Sequence, residues 1–247
     1  MSMGRLIGRP LFSCLRMSKI VKAYHGMQKL LNYFPWLIKI VYFNFHYLPF
    51  RQAIQLPILL RKPKFIRLKG RVIIESPKVR FGMITMGRLV NTCNPDSGII
   101  FDIDGTLIFK GTADFANNSA IMIQDGGTIT LGDHMDCAGQ LKCAKSIEFG
   151  NDCVLAYNSM VMDSDWHALT DVVTGKLVKK TAPVKIGNNN FISFNCLVTK
   201  GTITPDFCTF TYNSHLCKKY DVEPYSLLGG NPCKLLDEGY FYDRNNN

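Results

Sequence analysis

From about residue 103 onward, an apolar residue recurs at every sixth position of this chain. A comb set on Leu131 catches Cys137, Cys143, Phe149, Leu155 and Val161, and the residue after each of the first five teeth is small: Gly132, Ala138, Ala144, Gly150 and Ala156. A second comb catches Ile186, Ile192, Val198, Thr204, Phe210 and Leu216, and a third Ile103, Phe109, Phe115 and Ile121. All of these teeth but Thr204 are apolar, whereas a composition of 47% hydrophobic residues would fill only about half of them. Helices repeat near 3.6 residues and strands at 2, so a period of six is a repeat of whole structural units. A parallel β-helix with short flat sides turns a corner every six residues; one side chain per side then points into the axis, and a small residue fits where the chain bends. Three hexads close one coil of about eighteen residues, and the teeth amount to about five coils.

The chain before the combs has a different character. Up to Lys64 the apolar residues follow helical spacing, with Ile20, Tyr24, Met27 and Leu31 on one side of Pro10–Tyr33 and Lys19, Lys22 and Lys29 around the rest of the wheel. After Lys64, Gly, Asn, Asp and Thr become frequent between short β-branched runs. The expected organisation is a basic, largely helical segment 1–64, a β-helix 65–236 and a short C-terminal extension 237–247. Charge divides the same way: residues 1–90 hold 17 Lys or Arg against the single acid Glu75, and residues 91–247 hold 12 against 18. Such a basic end suits a membrane face or another anionic surface, or is a solvated basic face. Nucleic acid is disfavoured, because no zinc-finger spacing, RNP-like aromatic string or Gly-rich RNA loop accompanies the charge. The greasiest stretch, Leu30–Phe50, is interrupted by Pro35, Lys39, Asn44 and His46, and no secretory signal is readable, so the expected location is cytoplasmic, with peripheral contact at the inner membrane face through the basic end. The nine cysteines are odd in number and lack metal-ligand spacing, which reads as reduced thiols used as small hydrophobes, with no metal expected.

The combs, together with Pro183-Val-Lys-Ile-Gly-Asn-Asn-Asn-Phe-Ile192, Lys200-Gly-Thr-Ile203 and Val222-Glu-Pro-Tyr-Ser-Leu-Leu-Gly-Gly-Asn-Pro-Cys-Lys234, resemble the hexapeptide-repeat acyltransferases over about residues 66–236. Within that family, Met162-Asp-Ser-Asp-Trp-His167 is similar to the active-site segment of O-acetyltransferases acting on capsule, exopolysaccharide or O-antigen sugars, and Tyr42–Phe50 to the segment that precedes the β-helix in some of them. The resemblance implies a left-handed parallel β-helix, a homotrimer with sites between subunits, and acetyl-CoA as co-substrate. It places the general base at His167 on a loop, residues 163–183, where the six-residue phase breaks. Asn158, nine residues before His167, and Trp166 are candidate acceptor-binding residues, and the resemblance implies Phe194, Tyr212, Cys217, Lys218 and Lys234 as the coenzyme wall and its basic positions. The chain departs from the family pattern at Phe191, usually Trp, and at Ser193, Pro205 and Tyr212, where smaller residues are usual.

Chemistry gives the histidine a reason. A sugar hydroxyl is a weak nucleophile and a thioester an already activated donor, so direct transfer needs a base that titrates near neutrality and no enzyme nucleophile. Asp163 or Asp165 would orient the imidazole or hold other acceptor hydroxyls; the residues alone leave that open. His25, His46, His134 and His215 read as structural or surface residues. One competing string, Phe101-Asp-Ile-Asp-Gly-Thr-Leu107, is similar to the first motif of haloacid-dehalogenase-type phosphatases, but the residues after it carry hexads in place of crossover helices. The function expected is O-acetyl transfer to a sugar or polysaccharide precursor. The alternatives are N-acyl transfer to an amino group of a nucleotide sugar and a non-catalytic trimeric scaffold at a membrane face.

Overall fold

The computed structural model describes residues 31–90, 95–178 and 180–244. The amphipathic helix expected over Pro10–Tyr33 falls, up to Leu30, outside the described residues. One coil shows how the rest is built. Met135–Cys137, Gln140–Cys143 and Ser146–Phe149 are three short strands joined by tight corners. Each pairs in parallel with the equivalent strands of the neighbouring coils: the first with Ala113–Ala116 and Val154–Leu155, the second with Ser119–Ile123 and Met160–Met162, the third with Thr128–Leu131 and Val184–Ile186. Repetition gives three sheets of nine, seven and five strands around one axis. The sole antiparallel ladder in them joins Ser226–Gly229 to the closing strand Lys234–Glu238.

Every tooth of the three combs is inside, none more than 4% exposed. The expectation of one inward side chain per side is corrected to two: Ile129, Met135, Leu141 and Ile147, each two residues before a tooth, are fully buried as well. Alternation along a strand puts residues i and i+2 on the same face, so a flat side of three or four residues offers two to the core. Coil length varies too. Asp136 stands beside Val154, eighteen residues on, but Ala120 beside Gln140, twenty on, and Thr106 beside Thr128, twenty-two on. The added residues sit at corners, leaving the inward columns in register.

Corners repeat in space as well as in sequence. Asn118, Asn158, Asn195 and Asn213 all adopt positive φ at one corner, and His134, Asp152, Asn189, Phe207 and Tyr225 do so at another. Asn tolerates the left-handed region better than most residues, which accounts for the first column. At a third corner glycine is required by close approach: a Cβ on Gly105 would lie 2.3 Å from the carbonyl oxygen of Gly127 on the next coil. The cysteines behave as small hydrophobes. Cys137, Cys143, Cys153, Cys196, Cys208 and Cys233 are buried free thiols and only Cys217, among the described ones, is exposed; burial pushes the Cys137 and Cys153 thiols up to about 12.

The start of the β-helix is closed by a helix, α1 (Leu37–Tyr47). It buries Ile40, Phe43 and Asn44 against the first coil, with the Phe43 ring 5.0 Å from that of Phe101. Coil pairing begins with Ile58–Leu60 on Ile84–Met86, so the boundary expected at 64/65 falls inside the first coil. Asn44 is the clasp: its amide donates to the carbonyls of Ile40 and Ile58, both at 2.8 Å, and its Oδ1 accepts the Ile58 N–H at 3.1 Å. Asn44→Leu would leave buried backbone groups of Ile58 unpaired, a cost of about 2–3 kcal/mol. The thermal midpoint should fall by roughly 5–10 °C in calorimetry, and an unchanged midpoint would show that the clasp is dispensable.

Candidate functional site

The hexad phase breaks after strand Met160–Met162, and the chain leaves the coil there. Coil pairing records the excursion: Val161 stands beside Val198 of the next coil, thirty-seven residues on. The excursion is a two-stranded arm. Ser164 bridges Thr181 and Thr170 bridges Leu177 in antiparallel sense, and Asp171 turns the tip by accepting the backbone N–H groups of Val173 and Thr174.

Asp163 anchors the base of the arm. It is fully buried, in the column of Ile123 and Cys143, and its carboxylate accepts backbone N–H bonds from Ala144 at 2.7 Å, Lys145 at 2.7 Å and Ser146 at 2.6 Å. Three successive amides converging on one carboxylate form an anion nest. Asp163, expected to orient the imidazole or to hold acceptor hydroxyls, has both carboxylate oxygens bonded to the corner below in this structure. Asp165, one turn of chain further, is exposed and ion-paired with Lys200.

His167 stands exposed at a bend on the outgoing limb of the arm. Its backbone N–H donates to the carbonyl of Asp165 at 2.7 Å, closing a three-residue turn on Trp166, whose φ is +61°. Ser164 Oγ accepts the Trp166 N–H at 3.0 Å and steadies that turn. Unlike the corner asparagines, Trp166 lies on the arm, and its left-handed backbone belongs to this local turn beside His167. Asp165 is thus joined to His167 through the backbone, while its carboxylate pairs with Lys200, and the carboxylate-to-imidazole contact left open by the sequence is not formed among the described residues.

The remaining expected residues divide between two corners. Strand pairing puts Lys200 and Lys218 one coil apart at the corner from which the arm departs, with Cys217 exposed beside Lys218. The Lys218 ammonium lies 5.6 Å from the Tyr220 ring centre. Phe194 and Tyr212 occupy the preceding corner, one coil apart, each just before an asparagine of the left-handed column. Asn158, expected to hold the acceptor, is an exposed member of that column. Lys234 is apart from both groups, on the closing strand opposite Gly229.

A cleft of about 400 Å3 opens on the outer face of the nine-stranded sheet beside Phe194. Its wall pairs Tyr157 with Phe194, near-parallel rings 6.4 Å apart, and its far side is the C-terminal tail, where Tyr242 stacks on Phe191 at 4.3 Å. Arg88 binds Asp114 at 2.6 Å, and Arg244 reaches Asp136 at 3.4 Å and the His134 carbonyl at 3.0 Å. Burial above all pushes the Asp136 carboxyl up, with Arg244 working against it and Asp114 adding to it. Phe194 was among the expected residues, but sequence reading missed the rest of this charged and aromatic lining, since residues far apart in sequence meet only through stacking. Lys200 was within reach, being part of a quoted motif. His46, His134 and His215 are held at the Leu68 carbonyl, by Asp152 and by Thr199 and Asn231. The phosphatase-like aspartates are spent on structure: Arg67 binds Asp102 and Asp104, each at 2.9 Å, and Ile103 between them is a buried tooth.

No family model matches the chain, and no curated protein matches it in sequence. Solved structures do. The polySia specific acetyltransferase NeuO is 16% identical, with 74% of this chain and 89% of that one covered at a TM-score of 0.51. The polysialic acid O-acetyltransferase OatWY is 19% identical over 74% and 88%, at 0.40. A hexapeptide-repeat acetyltransferase from Vibrio cholerae O1 biovar eltor, complexed with acetyl coenzyme A, is 18% identical over 50% and 66%, at 0.39. The first of these likenesses shows the fold, a left-handed parallel β-helix of hexapeptide coils.

Proposed function

We propose that this protein is an acyltransferase that moves an acetyl group from acetyl-CoA to a hydroxyl of a sugar or polysaccharide, with His167 as general base, and that it works as a homotrimer. The observation that carries the reading is the arm: a break in an otherwise regular coil, anchored by a buried carboxylate, that presents an exposed histidine on a strained turn. The likeness of fold to a polysialic-acid acetyltransferase supports the same class of chemistry and a polysaccharide acceptor. An arm with Leu169, Val172, Val173 and Leu177 exposed, Val172 at 96%, fits a neighbouring subunit packed against it.

In this reading His167 takes the proton of the acceptor hydroxyl as that oxygen attacks the thioester carbonyl. The imidazolium then returns the proton to the departing thiolate as the tetrahedral oxyanion collapses. Lys218, at the corner beside the arm, is placed for coenzyme phosphates, and Phe194 and Tyr212 offer flat surface for adenine or pantetheine. Calorimetry with acetyl-CoA, followed by mass spectrometry of oligosaccharides incubated with protein and acetyl-CoA, tests the reading. Binding and acceptors heavier by an acetyl group are expected. Absence of acetyl-CoA binding would overturn it in favour of a scaffold, and acetylation confined to amino groups would favour the N-acyltransferase.

A further inference from the structure

The helical cap is apolar on both sides. The side of α1 toward the first coil carries Ile40, Phe43 and Asn44, while Leu37, Ile38, Val41, Tyr42 and Phe45 face solvent, Ile38 at 87% exposure. Phe50 and Ile54, just beyond the helix, are exposed as well, and the rings of Phe45 and Phe50 stand 6.0 Å apart. A helix with two apolar faces and one core to fill leaves the second for another apolar phase.

The surroundings of that face are cationic. Arg51, Lys64, Lys69, Arg71 and Lys78 are exposed on the chain that follows the helix, Glu75 is the single acid in the first ninety residues, and the nearby Asp96, Asp102 and Asp104 are ion-paired with Arg61, Lys62 and Arg67. Beside the helix a cleft of about 530 Å3 is lined by Trp36, Lys39, Lys62, Lys64 and Phe65. The Lys39 ammonium is held 3.0 Å from the Pro63 carbonyl and 5.6 Å from the centre of the Trp36 ring.

The geometry points to docking of this cap on an anionic lipid surface. The outer face of α1 lies in the plane of the membrane at the boundary of headgroups and acyl chains, and the exposed lysines and arginines of the first coil meet lipid phosphates. Trp36 and Tyr42 suit that depth. Charge selects this occupant: a second copy of the same end would set one strongly basic surface against another, whereas an anionic bilayer offers phosphate and hydrocarbon together. Among the described residues no helix is long and apolar enough to cross a membrane, so the contact is in-plane. The inference is independent of the acetyl-transfer reading, and either can fail alone.

Vesicle co-sedimentation of the full chain tests it, with phosphatidylcholine alone and with phosphatidylcholine containing phosphatidylglycerol, for wild type, Ile38→Glu/Phe45→Glu and Lys64→Glu/Lys69→Glu. Wild type should sediment with the anionic vesicles and less so at high salt. Each double variant should bind about tenfold more weakly or worse, with its thermal midpoint kept because all four residues are exposed. The charge-reversal pair stands as an independent arm should the apolar pair disturb folding. No sedimentation with anionic vesicles overturns the proposal. So does binding unaltered in both variants, which would shift the contact to residues 1–30, and so does a lipid-independent change of oligomer mass without vesicle binding, which would assign the face to protein.

Discussion

His167→Ala is expected to lower kcat/KM for acetyl transfer to a hydroxyl acceptor by 10²–10⁴-fold, about 3–5 kcal/mol of transition-state stabilisation. The loss should fall on kcat, because the imidazole acts on a proton that moves only in the transition state. Acetyl-CoA affinity should stay within about twofold, since the coenzyme positions named above lie on the coil and not on the arm. The thermal midpoint should also hold, because His167 is exposed and its fold contact is a backbone N–H that alanine retains. The measurement is steady-state kinetics by thiol release, paired with calorimetry. A variant that keeps kcat within threefold would remove His167 from the chemistry. Were the acceptor an amine, already nucleophilic when neutral, the same substitution would cost far less, so the size of the effect also separates the two transferase readings.

Asp163→Ala is the expected opposite, a large loss of stability. The substitution strips a buried carboxylate from three converging backbone N–H groups at a part-buried corner. Hydrogen bonds to a charged acceptor are worth about twice neutral ones, and three amides lose theirs at once. The cost should be about 3–5 kcal/mol, with the thermal midpoint lower by roughly 6–15 °C. Asp163→Asn should recover part of it: one oxygen still accepts, while the new NH2 faces an amide donor. Calorimetry of the two variants against wild type checks the order. If Asp163→Ala instead kept its midpoint and lost only turnover, the aspartate would belong to the reaction and the nest would be incidental.

These two residues, four apart in one motif, show how the site divided between sequence and structure. The phase break between Val161 and Ile186 and the residue types in Met162–His167 were enough to place a histidine on a loop. Which aspartate served it was not readable. Asp163 acts on Ala144, Lys145 and Ser146, and Asp165 on Lys200, partners that come near only when coils stack. For the same reason the cleft beside Phe194 was invisible: Arg88, Asp114 and Asp136 share it because their strands lie in neighbouring coils, and Tyr242 because the tail folds back across the sheet.

The sequence by itself determined the coil. A side chain every six residues can be satisfied by water or by a core, and fifteen apolar teeth in register leave only the core, so the β-helix is written in local pattern. A second inward column was written there too, in pairs such as Leu141 and Cys143, and was legible once strand alternation was applied to each short side. Tertiary structure alone decided how the ends and the arm are held. Asn44 clasps the cap to Ile58, Arg67 bridges Asp102 and Asp104, and Asp163 pins the arm. Each is a polar contact whose meaning depends on one partner at hydrogen-bond distance, and no periodicity in a chain encodes that; apolar burial is additive and non-directional and survives reading one residue at a time, whereas a hydrogen bond exists only where two distant residues meet.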